Sequence, residues 1–575
     1  MDPKKYIGMD VHQASISVGG QRCCRKTSCG IHHRNQSDIY PRGWWIEAAI
    51  DVQSGRKVES NIMMRMSVRT LLILSIATSV AAAPARDATS CESLAKLALP
   101  DTTITMAESV AAGAFTIPPG GLPIPGGVSA KNLPAFCRVA ATIKPTSDSD
   151  IRVEVWLPAS GWNGKFQAIG NGGWIGAIIY QPMTAALARG YATAGTDTGH
   201  QGGVMDASFA LGHLEKVTDF GYRAVHEMTV KAKALISAFY GDAPKYSYWN
   251  GCSSGGKQGL KEAQKFPDDF NGIIAGAPAN YWTHLTAASV WVGMITHKDP
   301  ASFVPPAKFP VIHKAVLEAC DALDGLKDGV IDDPRRCHFD LNTIECKKGD
   351  APDCLTAAQA DVVRQIYAPA TNPRTKKVVY PGLEPGSELG WGLLAGGKEP
   401  AEIGATHYRY IVYKDPKWDW HSLDLDKSIA LADELDNGTI NATDPNLKPF
   451  FSHGGKLLMY HGWADPLIAS ENSIDYYQSV LAATGGAKKA ASSIRLFMAP
   501  GMDHCFGGEG PNVFDAVPVI EQWVENGKTP DQIVASHMKG AAADRTRPLC
   551  PYPQVARYKG SGSIDDAANF TCVQP

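Results

Sequence analysis

From about residue 150 onward, short apolar runs alternate with helix-like segments. This alternation predicts an α/β fold, in which a mostly parallel sheet is covered by helices on both faces. The predicted strands are 153–157, 166–169, 191–194, 246–249, 272–275, 456–461 and 494–498. Helices are predicted over 214–239 and 256–265.

The alternation stops between about residues 278 and 449, where Pro, Gly, Asp and Trp cluster and four cysteines occur. We interpret this stretch as a large lid domain inserted between two strands of the sheet. The core would then be formed by residues 86–277 and 450–575.

A strongly apolar stretch at 71–80 follows Arg65 and Arg69 and precedes the segment Ala-Ala-Ala-Pro-Ala at 81–85. Residues 64–85 therefore match the three regions of a secretory signal peptide. The apolar run is too short to span a bilayer comfortably, so a weak membrane anchor is the less favoured alternative. We expect an exported protein, secreted or periplasmic, without stable membrane anchoring.

The segment 6–18 resembles the first strand of insertion-sequence transposases with a ribonuclease-H-like fold, in which an acidic residue at the position of Asp10 binds a metal ion. No second acidic motif follows it. We interpret residues 1–63 as a transposase remnant or a wrongly assigned start, without activity.

The composition argues against two broad classes of protein. Hydrophobic residues make up 44% of the 575 residues, charged residues make up 20%, and the formal net charge is −3. Neither a disordered chain nor a polyanion-binding protein is indicated, so nucleic acid is not an expected partner. The length suits one large domain with an insertion, or two or three ordinary domains.

Ten cysteines follow the predicted signal peptide, and three precede it. An even number in an exported chain predicts five disulfides. Metal binding is the alternative, but no Cys-x-x-Cys pair occurs among the ten. The spacing alone leaves many connectivities open. The ten residues are Cys91, Cys137, Cys252, Cys320, Cys337, Cys346, Cys354, Cys505, Cys550 and Cys572.

The segment 251–256, Gly-Cys-Ser-Ser-Gly-Gly, fits the motif G-x-S-x-G between a predicted strand and a predicted helix. Small residues allow the strand to turn sharply into the helix and leave the central serine exposed at the turn. This context predicts Ser253 as a nucleophile, with Ser254 as a less favoured choice. A simple turn is the alternative interpretation.

A serine nucleophile requires a base and an acid, which in this fold follow in the order serine, acid, histidine. His504 follows the predicted strand 494–498 and suits the base, while Asp465 follows strand 456–461 and suits the acid. Asp503 competes for the acid role, but it is adjacent to His504 in sequence and would usually point elsewhere.

Cys252 precedes the predicted nucleophile and Cys505 follows the predicted base. If Ser253 and His504 are in contact, the neighbouring cysteines are close enough to form a disulfide. Free thiols are the alternative, which an oxidising compartment disfavours.

Acyl transfer also requires hydrogen-bond donors for the oxyanion. The amide of Ser254 is one candidate, because it follows the nucleophile. The second should come from the segment 170–174, Gly-Asn-Gly-Gly-Trp, where Gly172 and Gly173 are equally eligible. A plain flexible turn is the alternative.

Together, Cys252-Ser253, Asp465 and His504-Cys505 resemble the Cys-Ser, Asp, His-Cys arrangement of the tannase and feruloyl esterase family of α/β-hydrolases. The flanking segments 454–456, 460–463 and 507–511 are similar to the family as well, and the resemblance extends from about Cys91 to the C-terminus. It implies a carboxylic ester hydrolase that forms an acyl-enzyme on esters of aromatic acids, such as feruloyl, caffeoyl or galloyl esters.

The resemblance also implies a calcium site in the lid, matched by the segment 321–330. Closely spaced carboxylates with glycines at the turns suit this oxygen-seeking cation. A solvated acidic loop is the alternative. The implied ligands are the side chains of Asp321, Asp324 and Asp328 and the carbonyls of Leu326 and Val330.

By the same resemblance, Cys320 would pair with Cys337 around this loop. The other implied pairs are Cys91 with Cys137, Cys346 with Cys354 and Cys550 with Cys572.

For the substrate pocket we expect contributions from Trp391, Tyr408 and His461, with ordinary packing as the alternative for the aromatic residues. The family also includes the hydrolase of mono(2-hydroxyethyl) terephthalate, whose substrate has a free carboxylate, and Arg409 is the candidate cation for that alternative. A non-catalytic binding protein on a hydrolase scaffold is an alternative of another class. The sequence does not indicate an oligomeric state.

Overall fold

The computed structural model describes residues 89–118 and 127–575. These residues all belong to one compact unit, 82–575. The predicted signal peptide, 64–85, and the transposase-like segment with Asp10 lie outside the described residues. No helix in the described ranges is long and apolar enough to cross a membrane.

The strands are β1 (Thr102–Val110), β2 (Phe136–Ile143), β3 (Ile151–Pro158), β4 (Lys165–Ile169), β5 (Ala192–Thr196), β6 (Tyr246–Cys252), β7 (Gly272–Gly276), β8 (Ala370–Thr371), β9 (Val378–Tyr380), β10 (Lys456–Gly462), β11 (Ile494–Ala499), β12 (Ile533–Lys539), β13 (Ala542–Leu549), β14 (Val555–Tyr558) and β15 (Phe570–Val573).

The α-helices are α1 (Tyr180–Ala188), α2 (Leu214–Thr218), α3 (Ala224–Tyr240), α4 (Ser254–Lys265), α5 (Trp282–Thr296), α6 (Phe309–Cys320), α7 (Ala357–Tyr367), α8 (Glu402–His407), α9 (Lys427–Asp436), α10 (Lys448–Ser452), α11 (Glu471–Thr484), α12 (Ala487–Ala490) and α13 (Ala516–Asn526). The predicted helix 214–239 is observed as α2 and α3, joined by a π-helical turn at Asp219–Arg223.

One large sheet organises the core, with the strand order β1-β2-β3-β5-β4-β6-β7-β10-β11. The strands from β5 to β11 in this order are parallel to their neighbours, whereas β1, β2 and β3 join the sheet in antiparallel pairs. The prediction of a mostly parallel sheet is therefore confirmed, and each predicted strand overlaps an observed one.

Helices cover both faces of the sheet. Successive side chains of a strand point to opposite faces, so neighbouring residues of one strand pack against different helices. On β10, Leu457 and Met459 pack with α4 residues such as Leu260. The intervening Leu458 packs in a different cluster, with Ile520 and Trp523 of α13. The predicted α/β-hydrolase architecture is confirmed by this arrangement.

The segment between β7 and β10 contributes no strand to the large sheet in the described structure. Its helices form a hydrophobic cluster of their own, which includes Val290, Ile312 and Val363. We call this segment, residues 278–449, the insertion.

The five predicted disulfides are present. The pairs are Cys91–Cys137, Cys252–Cys505, Cys320–Cys337, Cys346–Cys354 and Cys550–Cys572.

Candidate active site

Ser253 lies between the last residue of β6 and the first residue of α4. Its backbone has φ of 63° and ψ of −123°, a conformation that is strained for a residue with a side chain. Its amide donates to the carbonyl of Gly276 at 2.9 Å, which anchors the turn to β7. A Cβ atom on Gly251 would lie 2.6 Å from the backbone of Gly255, so this turn requires glycine.

His504 contacts Asp465 through its Nδ1 atom, which lies 2.7 Å from Oδ2 of the aspartate. The other oxygen, Oδ1, accepts the amides of Leu467 and Ile468, both at 2.9 Å. The fully buried carboxylate is thus held in one orientation.

Burial by itself would raise the pKa of Asp465. The electrostatic attraction to the imidazole of His504 and the hydrogen bonds from His461 and His504 outweigh this effect and hold the pKa well below its usual value. The carboxylate therefore stays ionised at neutral pH and fixes the hydrogen on Nδ1 of His504, which leaves Nε2 free to accept a proton.

Asp503, the competing acid, makes no hydrogen bond to His504 among the described residues. Burial and the neighbouring carboxylates of Asp465 and Glu509 raise the pKa of Asp503 to about 6. The geometry therefore favours Asp465 as the partner of the imidazole.

The Cys252–Cys505 disulfide connects the turn at Ser253 to the loop of His504, with a Cα–Cα distance of 6.0 Å. No hydrogen bond joins Ser253 to His504 in the described part of the chain, but both residues line the same cavity. The disulfide holds the two segments side by side across a sequence separation of 253 residues.

The loop that contains Gly172 and Gly173 is fixed against the start of α4. The carbonyl of Asn171 accepts the amide of Gly255 at 2.8 Å, and the amide of Asn171 donates to Gln258 at 3.0 Å. Gly172 and Gly173 both line the cavity. Within the described ranges, the amides of these two glycines donate to no protein acceptor.

Ser254 is completely buried and does not line the cavity. Its hydroxyl is therefore inaccessible to a substrate. Its position at the first turn of α4 leaves the backbone amide without a helical acceptor, as is general for helix N-termini.

The cavity has a volume of about 770 Å³ and is formed by both the core and the insertion. Next to Ser253 and His504, it is lined mainly by apolar side chains. They include Trp282, Leu285, Leu393, Leu394, Ile403, Tyr460, Leu467, Ile468, Val513 and Phe514. In the sequence these residues have no signal of their own, because their pattern does not differ from that of ordinary core residues.

None of the four predicted pocket residues lines this cavity. Trp391 and Tyr408 are fully buried in the insertion, where the indole of Trp391 donates to Ser387 at 2.9 Å. Arg409 forms an ion pair with Glu402 instead of facing the cavity. These three predictions are wrong, since the side chains belong to the packing and surface of the insertion.

His461 is fully buried beneath the site rather than in the cavity. Its Nε2 atom lies 3.1 Å from Oδ2 of Asp465 and 3.0 Å from the carbonyl of Ile468. The predicted contact with substrate is therefore wrong, and His461 contacts the acid instead. The sequence offered one signal for this contact, since His461 and Asp465 are four residues apart.

The acidic loop of the insertion places Asp324, Asp328 and Val330 around a small cavity, together with Asp332. Burial and the carboxylates of neighbouring aspartates raise the pKa values of Asp324 and Asp332. An oxygen-rich site with this repulsion between carboxylates fits a hard cation.

Two features of the loop differ from a complete cation site. Asp328 forms a buried ion pair with Arg547, and Asp321 accepts the amides of Asp328 and Gly329 at 3.1 and 3.0 Å. In the described structure the three predicted carboxylates do not all lie within 4.8 Å of one another. Asp332, which the sequence analysis did not identify, adds a further carboxylate.

The family described as tannase and feruloyl esterase matches residues 137–573. An uncharacterized esterase of Xanthomonas campestris pv. campestris is 38% identical over 560 residues, which cover 89% of this chain and 95% of the relative. A probable feruloyl esterase B of Aspergillus clavatus is 36% identical over 537 residues, covering 89% of this chain and all of the relative.

Solved structures agree with the sequence relatives. Feruloyl esterase B from Aspergillus oryzae has a TM-score of 0.78 and 33% identity, covering 84% of this chain and 99% of the other. A tannin acyl hydrolase from Aspergillus niger, at 24% identity and a TM-score of 0.68, shares the fold over 83% of this chain and 92% of the other. The chain therefore belongs to the tannase and feruloyl esterase family and is a carboxylic ester hydrolase of the α/β-hydrolase fold.

Proposed function

We propose that the protein is an exported hydrolase of aromatic acid esters, with Ser253 as nucleophile, His504 as general base and acid, and Asp465 as the residue that orients the imidazole. The observation that carries this proposal is the contact between His504 and Asp465 beside the cavity that Ser253 also lines.

The reaction proceeds in two steps. His504 takes the proton of the Ser253 hydroxyl as its oxygen attacks the ester carbonyl, and the same proton passes to the leaving alkoxide. A water molecule then loses a proton to His504 and attacks the acyl-enzyme, which releases the carboxylic acid and returns the proton to Ser253. Asp465 stays ionised and stabilises the imidazolium in both steps.

The negative charge that develops on the carbonyl oxygen needs donors held in place before the reaction. The amides of Ser254 and of Gly172 or Gly173 supply them. The anchoring of the Asn171 loop to α4 supports this role, because it holds the glycine amides and the serine turn together.

An aromatic acyl group is supported by the apolar lining of the cavity and by the feruloyl esterases among the relatives. The alternative, mono(2-hydroxyethyl) terephthalate, carries a free carboxylate. Within the described residues, Arg189 is the only arginine or lysine that lines the cavity. Its guanidinium already forms an ion pair with Asp515 at 2.8 Å. A neutral phenolic ester therefore suits the site better.

We also propose a structural calcium ion at the acidic loop, held by carboxylates of Asp321, Asp324 and Asp328 and by carbonyls of Leu326 and Val330. Calcium would replace Arg547 as the partner of Asp328 and relieve the repulsion that raises the pKa of Asp324. The five disulfides support the proposed export, because such bonds persist in oxidising compartments.

The test compares hydrolysis of methyl ferulate, methyl gallate and mono(2-hydroxyethyl) terephthalate by wild type, Ser253→Ala and a matched surface variant, Ser452→Ala. We expect a preference for a phenolic ester and a loss of turnover of about 10⁴-fold or more in Ser253→Ala alone. Full activity of Ser253→Ala would contradict the proposed nucleophile. Failure of a fluorophosphonate to label Ser253 would favour the non-catalytic binding protein instead.

A further inference from the structure

Three side chains with metal-binding groups meet on the side of the core that α3 and α4 cover. They are His226 of α3, Glu262 of α4 and Asp269, which follows α4. One ligand atom from each residue lies within 4.8 Å of the other two. Because two of the residues belong to packed helices, their separation is fixed by the fold.

Glu262 is 1% exposed, and in the described structure no N–H or hydroxyl group donates to either of its carboxylate oxygens. The carboxyl group of Asp269 lies within hydrogen-bond reach of it. Two buried carboxyl groups in contact require a proton or a cation between them, because two negative charges side by side are strongly disfavoured away from water. Burial first, and the carboxylate of Asp269 second, raise the pKa of Glu262 well above its usual value. Without a cation, the group is therefore held as the neutral acid.

The other two residues, His226 and Asp269, are already in contact with each other. Nδ1 of His226 lies 2.6 Å from Oδ2 of Asp269, and the imidazole stacks on the ring of Phe266 with 3.7 Å between centroids. The His226 side chain is 28% exposed, which gives solvent and ions access to one side of the cluster. Lys233 lies beside the cluster: its Nζ donates to the backbone carbonyl of Asp269 at 2.5 Å and lies 3.9 Å from Oδ1 of that residue, so it is directed at the backbone rather than between the carboxylates.

We propose that His226, Glu262 and Asp269 form a binding site for a divalent transition-metal ion of the zinc type. One imidazole nitrogen and two carboxylate oxygens are a ligand set that Zn²⁺ accepts, with water in the remaining position. Calcium is a poor candidate, because its ligands are oxygen atoms and this site presents an imidazole.

Binding is coupled to proton release. Glu262 loses its carboxyl proton to solvent when the metal binds. The ion takes the place of the hydrogen between Nδ1 of His226 and Oδ2 of Asp269, and the imidazole then carries its hydrogen on Nε2 after exchange with solvent. The two carboxylates then neutralise the charge of the ion. The metal would connect α3 to the end of α4, about 13 Å along the helix from Ser253. Its role is therefore structural rather than catalytic.

The experiment is calorimetric titration of the metal-depleted, untagged full chain with ZnCl₂, in the presence of excess CaCl₂ to fill the acidic loop. Wild type is compared with Glu262→Gln, His226→Ala and the control His453→Ala. His453 forms a similar pair with Asp268, at 2.6 Å, but it is not part of the three-residue cluster. Zinc bound by Cys23, Cys24 or Cys29 would be common to all four proteins.

We expect wild type and His453→Ala to bind one equivalent of zinc. Glu262→Gln and His226→Ala should bind this equivalent at least about 10-fold more weakly. Proton release, measured by repeating the titration in two buffers of different ionisation enthalpy, should accompany this equivalent. Zinc should also raise the melting temperature of wild type and the control only. The proposal is wrong if zinc affinity and the melting shift are the same in all four proteins.

Discussion

His461 and His504 share one oxygen of Asp465: Nε2 of His461 lies 3.1 Å from Oδ2, and Nδ1 of His504 lies 2.7 Å from the same atom. Nε2 of His461 also faces the carbonyl of Ile468 at 3.0 Å. Because both neighbours accept hydrogen bonds, this nitrogen carries a hydrogen. We therefore propose His461 as a positioning residue that stabilises the carboxylate of Asp465 in its ionised form.

We predict that His461→Ala lowers kcat about 10-fold and changes KM little, because a lost hydrogen bond to a charged group weakens the orientation of Asp465 without touching substrate. His461→Gln retains an N–H donor and should recover part of kcat. Steady-state kinetics on methyl ferulate would measure this. A rise in KM with unchanged kcat would instead assign His461 to the substrate pocket.

The disulfide beside the site is expected to affect both stability and catalysis. Replacing Cys252 and Cys505 together with alanine opens a loop with a sequence separation of 253 residues, which costs about 5 kcal/mol of unfolding free energy on chain-entropy grounds. The double variant of Cys346 and Cys354, separated by 8 residues, is the control and should lose about half as much.

Urea unfolding would measure both free energies, and kcat would be compared at a temperature where all proteins are folded. We expect kcat to fall only when Cys252 and Cys505 are replaced, because only this disulfide connects the serine turn to the histidine loop. Equal effects of the two double variants on kcat would contradict a positioning role.

The stability of the fold should decrease as pH rises through about 7, in part because of Asp197. Burial raises the pKa of this carboxyl to about 7. Between the ordinary pKa of aspartate and 7 the folded state therefore binds more protons than the unfolded state. The stabilising contribution is fully present at low pH and is lost as the pH rises through 7, with a magnitude of at most about 4 kcal/mol.

Asp197→Asn removes this titration and keeps an oxygen that accepts the amides of Arg152 and Gly199. We predict a flatter dependence of unfolding free energy on pH between 5 and 8 than in wild type. The exposed variant Asp361→Asn is the control and should follow wild type. A variant slope equal to that of wild type would exclude Asp197 as a source of the pH dependence.

Calcium is predicted to raise the melting temperature through the acidic loop. At a concentration of 100 times Kd, the ion would stabilise the fold by about 2.7 kcal/mol. Asp324→Ala should abolish the response to added CaCl₂ and to chelator, whereas the exposed control Asp353→Ala should respond as wild type does. Thermal unfolding of each protein, with calcium and with chelator, provides the measurement.

The parallel part of the sheet and the candidates Ser253, Asp465 and His504 could be proposed from the sequence, because each has a local signal. Short apolar runs marked the buried strands, and the small residues around Ser253 marked a turn that has little room for side chains. The half-exposed strand β1 has no fully buried residue. It therefore lacks the apolar run on which the strand predictions depended.

The sequence by itself determined the α/β class, the serine, aspartate and histidine candidates and an even set of cysteines. The tertiary structure decided which side chains face the cavity. Trp391 and Tyr408 are aromatic residues of the insertion, yet both pack inside it, while Leu285 and Ile403 line the cavity. An apolar residue signals burial, but the surface against which it is buried depends on how distant segments pack. For the same reason, only the fold brought Glu262 beside His226.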